Sequence, residues 1–215
     1  IECKSQESAF RLFETLNDRG LELSEIDLMK NYLYKKADLR SDINSEAIKR
    51  DWESIIDNIR YELDDPYRFF VHYLLFAPEP DVRESISEHT LYEKFKEIID
   101  EVIPASETTL PEYISSMADD VLLYLDIMNA EIGIYDSSAN DRINELLNDL
   151  DRLGYTQERI YFMGIFSNID SATEAVRATS LIESFIVRRR FTDSITGSDL
   201  NDIFLPFIRP ERPLP

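Results

Sequence analysis

Apolar residues along this chain recur three and four positions apart and seldom alternate, so the elements they predict are helices. The clearest pattern lies between 44 and 63. Asn44 or Ser45 offers a cap there, and Ile48, Trp52, Ile55, Ile56, Ile59 and Leu63 share one face. Asp64, Asp65 and Pro66 end the pattern, because proline disfavours helix at the residue before it and suits the first turn of the next one. Residues 67–76 are apolar nearly all round. A short run of that kind fits a buried helix or a buried strand, and its neighbours favour helix.

After a loop at 78–81, Thr90 or Ser87 caps a helix carrying Leu91, Phe95, Ile98, Ile99 and Val102, and Pro104 is expected to close it. Pro111 opens a long helix with Ile114, Met117, Val121, Tyr124, Leu125 and Met128 on one side and acids, expected in solvent, on the other. Gly133 and the polar run 136–138 break the chain. Beyond them Ile143, Leu146, Leu147, Leu150 and Leu153 mark a helix stopped by Gly154. Residues 161–166 are apolar throughout and predicted to be buried. Ser171 and Glu174 form an S-x-x-E box before the last long helix, whose inner stripe is Ala172, Ala175, Val176, Thr179, Ile182 and Ile186. Leu200, Ile203, Phe204 and Phe207 anchor a short final piece. The sum is an all-α fold, an irregular multi-helix domain of about nine helices with no fixed-period repeat.

The first 40 residues predict a corner between two helices. Ala9, Phe10, Leu12, Phe13 and Leu16 keep helical spacing until Asn17-Asp18-Arg19-Gly20. With Gly20 as the left-handed residue past the helix end, Leu16 and Leu21 take the positions of the apolar contact in a Schellman stop. Ser24 then caps a second helix, with Asp27 at N3 as its capping-box partner and Leu23 and Leu28 as a hydrophobic staple. Arg19 sits on the turn, and Lys30 and Asn31 on the second helix. Turn chemistry alone accounts for Asn17 and Gly20 taken separately.

Composition narrows the class. Of 215 residues, 43% are hydrophobic and 31% charged, as in soluble globular proteins, and five glycines are too few for a hairpin-rich β protein. Forty-three acids against 23 bases give a net charge of −20, so the surface as a whole repels nucleic acid and anionic lipid, and any DNA contact must be local. A lone Cys3 excludes an internal disulfide and fits a reducing compartment. No membrane-length apolar run or signal peptide is present, and the expected location is cytoplasmic. The chain opens at Ile1 without Met and closes on the proline-rich run 209–215, which reads as the start of a linker in a fragment of a longer polypeptide.

Candidate chemistry is sparse. His72 and His89 are the only histidines, with no H-E-x-x-H, C-x-x-C or H-x-x-P pattern beside them. His72 lies in an aromatic run and reads as a packed core histidine, and His89, at a helix start, as solvated. No glycine-rich phosphate loop is present, and no catalytic or metal-ligating residue is assigned. Arg188, Arg189 and Arg190 form the one dense basic cluster, suited either to the carbonyl end of a helix or to phosphate. Lys30, Lys35, Lys36 and Arg40 make a looser basic strip.

The stretch FETLNDRGLELSEIDLMKNYL resembles the segment that follows the ParB/sulfiredoxin-like domain in GmrSD-type, modification-dependent restriction endonucleases, typed as F-x-x-[IL]-N-x-x-G-x-x-L-[ST]-x-x-[DE]-[LI]. Phe13, Leu16, Asn17, Gly20, Leu23, Ser24, Asp27 and Leu28 match it. SLIESFIVRRRFTDSITGSDLNDIF is similar to the family's late helical segment, through Glu183, Phe185, Arg188, Arg189, Asn201 and Phe204. The family's D-G-Q-Q-R and H-x-x-P motifs are missing from the chain. The resemblance therefore implies a helical connecting domain over 1–208, with the corner at 1–40, the body at 41–208 and a linker at 209–215. It would lie between a ParB-like domain and an HNH-type nuclease domain in an enzyme of anti-phage defence. Nucleoside triphosphate and divalent metal would belong to the parent enzyme, with no cofactor in this part. Phe13, Asn17, Arg19, Gly20, Ser24, Asp27, Lys30 and Asn31 would form the interdomain contact, and Arg188, Arg189 and Arg190 would face DNA or the nuclease domain. The alternative is a stand-alone acidic helical module that binds a protein partner.

Overall fold

The computed structural model describes residues 25–63, 65–76, 86, 90–106, 108–154 and 159–192. Phe13, Asn17, Arg19, Gly20, Ser24, His89, the predicted loop at 78–81, the piece at 198–208 and the run 209–215 lie outside the described residues. Within them the chain is all-α, with eight helices and no strand. These are α1 Glu25–Asp38, α2 Ser45–Glu62, α3 Pro66–Phe76, α4 Leu91–Glu97, α5 Leu110–Asn129, α6 Ser137–Arg152, α7 Arg159–Asn168 and α8 Ala172–Thr192. A π turn at Ile98–Val102 and a last α turn at Ile103–Ala105 prolong α4. No helix among the described residues is long and apolar enough to cross a membrane.

The helices begin where side chains can satisfy the first free amides. Asn44 accepts from the Ala47 N–H at 3.2 Å, Asp136 from Ala139 at 3.0 Å, and Ser171 from Glu174 at 3.4 Å. Thr109 and Glu112 form a reciprocal capping box at the start of α5, with Pro111 in the first turn. The ends depart further from expectation. α5 stops on Ala130 in the left-handed region at φ 53°, before Gly133, and the Glu131 N–H returns to the Asp126 carbonyl at 2.8 Å. Pro104, expected to close α4, is instead carried inside its last turn. A proline lacks an N–H and crowds the carbonyl four residues back. The π turn widens the helix just ahead of it, with the Ile103 N–H reaching the Ile98 carbonyl.

Packing follows from the two helices that lack a polar face. In α3, Phe69, Phe70, Tyr73 and Leu74 are buried, and in α7 every residue from 160 to 166 is buried. The two pack on each other, and α2, α4 and α5 also touch α3 while α5 and α8 touch α7. Trp52 of α2 stacks on Phe70 at 5.5 Å and meets Phe95 of α4 at 5.7 Å, and Phe69 presents its edge to Tyr124 of α5 at 5.3 Å. One acid breaks the expected outer face of α5. Asp120 is only 7% exposed, because it lies three residues from Met117 and four from Tyr124, on the inner stripe. It is engaged within the chain and, after burial itself, helps push the Tyr113 phenol up.

The loop between α5 and α6 is held by two asparagines one turn apart on α6. Asn144 accepts from the Ile132 N–H at 2.8 Å and donates to the Ile132 carbonyl at 3.1 Å. Asn140 does the same for Tyr135, at 3.0 and 2.8 Å, and the Tyr135 hydroxyl donates to the Ile169 carbonyl at 2.6 Å. Each amide thus replaces the neighbouring strand that the loop lacks. Replacing Asn144 or Asn140 by Ala strands a backbone N–H and C=O, and each substitution is expected to cost about 1–3 kcal/mol, read as a lower urea midpoint at unchanged slope. Asn148→Ala is the control, since Asn148 bonds only the Asn144 carbonyl from an exposed position and should shift the midpoint little.

Candidate functional site

The motif helix α1 is the candidate site that both sequence and contacts single out. Met29, Leu33 and Ala37, at spacings of four, are fully buried and fix which side faces the body. α1 opens at Glu25, with Asp27 exposed but engaged, and with Lys30 and Asn31 half-buried. The Lys30 ammonium lies 5.6 Å from the centre of the Tyr34 ring.

Polar contacts then tie both ends of α1 to α4. The Glu25 carboxylate accepts from the Tyr92 N–H at 3.0 Å, and the Tyr32 and Tyr92 rings meet edge to face at 6.0 Å. The Tyr32 hydroxyl donates to the Asp100 carboxylate in the π turn, and the Lys36 ammonium lies 2.6 Å from the same carboxylate. On the other flank, Lys49 of α2 bridges Asp38 at 2.9 Å and Glu46 at 3.2 Å, and the Tyr34 hydroxyl donates to Glu53 at 3.4 Å. Burial, and after it Glu53, pushes the Tyr34 phenol up to about 12.

These contacts change the reading of the basic strip. Lys30, Lys35, Lys36, Lys49, Lys94 and Lys96, every lysine of the chain except Lys4, lie on α1, the first turns of α2 or α4. All six are engaged. Lys94 meets Glu97 at 2.7 Å, Lys96 meets Glu93 at 2.8 Å and also covers Tyr92, Lys35 has a partner within the chain, and Arg40 is held by Asp42 at 2.9 Å. Of the strip, Lys36 joins α1 to the π turn, Lys30 lies against Tyr34 of its own helix, Lys35 is engaged within the chain and Arg40 pairs with Asp42, so each member already has a contact. On α8, Arg188 is exposed and Arg189 half-buried, and both are engaged within the chain. Only the backbone of Arg190 is described.

A buried polar cluster away from α1 joins α3, α5 and α7. His72 is 7% exposed, and its Nδ1 lies 3.0 Å from the Tyr124 hydroxyl. Burial, with Arg159 and then Arg68 adding to it, pushes the imidazole down to about 3, and burial pushes the Tyr124 phenol up against the opposing pull of Arg159. A histidine so hard to protonate is a poor general base near neutral pH, and the packed core reading holds. Arg159 also lines a cavity of about 20 Å³ with Ile127, Leu147, Asp151 and Phe162, room for a single water. No group of three or more metal-ligating side chains occurs among the described residues. Asp100, Tyr92 and Arg159 carry no sequence signal, since their partners lie far along the chain.

Two pH effects follow. His72 stays neutral when folded but protonates near 6.5 when unfolded, so the unfolded state binds the extra proton between about 6.5 and 3. Stability should rise with pH across that window by up to about 1.4 kcal/mol per pH unit, and His72→Gln should flatten the difference in urea midpoints between pH 5 and 7. Asp100 has the opposite origin. Burial raises its carboxyl, but Lys36 and Tyr32 override this and hold it below the usual carboxylate value. Its contribution is therefore present above the ordinary carboxylate range and lost as pH falls through the lowered value. Amide protection in α1, corrected for intrinsic exchange, should drop in that acid range for the natural chain and drop less steeply there in Asp100→Asn, in which Glu25, Asp38 and His72 still titrate.

Compared with known proteins, the chain matches no family model, no curated protein and no solved structure.

Proposed function

We propose that this chain is a helical connecting domain in a nucleotide-dependent, modification-dependent restriction endonuclease of the GmrSD type, and that α1 transmits conformational change between a nucleotide-hydrolysing domain and a DNA-cleaving one. The reading draws on the motif around Asn17, Gly20 and Asp27 and on the late segment at Glu183 to Phe204. The single observation that carries it is the fastening of α1. Three fully buried apolar residues seat the second helix of the motif, and Glu25, Tyr32 and Lys36 lock it to α4 and the π turn. A helix seated this way moves with the body, which is what a coupling element requires. Asp27, Lys30 and Asn31 would face the nucleotide-hydrolysing side, and Arg188 and Arg189 the DNA-cleaving side.

A second reading rests on a different observation. With a net charge of −20, and with Lys36, Lys49, Lys94 and Lys96 already paired to carboxylates within the chain, the protein presents surplus carboxylates outward, as a module that recruits a basic partner would.

In the intact enzyme, Asp100→Ala should leave nucleotide hydrolysis near its natural rate and lower nucleotide-stimulated DNA cleavage by about tenfold or more, as expected for loss of a coupling contact. The 215-residue chain alone, given divalent metal and nucleotide, should cut nothing. Robust cutting by this chain, or unchanged coupling in Asp100→Ala, overturns the proposal. Tight capture of a basic protein by the chain, with no flanking enzymatic domains in its reading frame, favours the second reading.

A further inference from the structure

We draw no further inference here: the strongest candidate, the cavity of about 20 Å³ that Arg159 and Asp151 line with apolar side chains of α5, α6 and α7, has room for one water and its guanidinium already lies against the Tyr124 hydroxyl, so nothing in the structure points to a ligand there.

Discussion

The absence of any polar face on α3 is the constraint on which the rest of this fold depends. A helix of that kind is stable only when surrounded, so α2, α4, α5 and α7 must each turn an apolar stripe toward it. Aromatic rings do most of the filling, in a line from Phe95 through Trp52, Phe70 and Phe69 to Tyr124. Each ring buries on the order of 150–250 Å², worth several kcal/mol, which outweighs the polar atoms left without partners along the way. Among the described residues those atoms are the Trp52 Nε1 and the Tyr113 hydroxyl. Leaving one such atom unpaired costs about 1–3 kcal/mol, so ring packing has taken precedence over polar pairing here.

Local information is what made much of this legible. The stripe from Ile48 to Leu63, the apolar runs at 67–76 and 161–166, and the caps at Asn44 and Ser171 depend on residues within a turn or two of one another, and they fall where the spacing puts them. The misreadings arise where a distant group or the backbone decides. Asp120 was assignable by position to the inner stripe of α5, but its charge argued for solvent. Pro104 looks like a stop because a regular α-helix rejects it, and the π turn removes that objection. The break expected around Gly133 is present, but the residue that closes α5 is Ala130, which accepts the left-handed conformation at a cost of about 1 kcal/mol because the Glu131 N–H then bonds the Asp126 carbonyl.

The candidate site was half legible for the same reason. Four-residue spacing puts Met29, Leu33 and Ala37 on the buried side of α1, and the motif directs attention to that helix. The lysines beside them read as a free basic strip because their partners are out of sight. Asp100 lies 68 positions from Tyr32 in sequence, and no local pattern connects them. Asn140 and Asn144 were equally silent, since an asparagine that clamps a backbone looks the same in sequence as one that faces water.

The two kinds of contact on α1 divide the work of attachment. Exposed ion pairs such as Lys36 with Asp100 are worth about 0–1 kcal/mol, too little to hold a helix, whereas three fully buried apolar side chains contribute several times that. The polar contacts are directional, however, and the apolar ones are not. Burial of Met29, Leu33 and Ala37 would tolerate a small rotation or slide of α1, and the bonds from Glu25, Tyr32 and Lys36 select one register from that range. Because each polar contact is weak and partly exposed, it can be exchanged without unseating the helix. In the proposed coupling role that combination keeps α1 moving with the body, with the π turn at Asp100 as the place where its alignment is set.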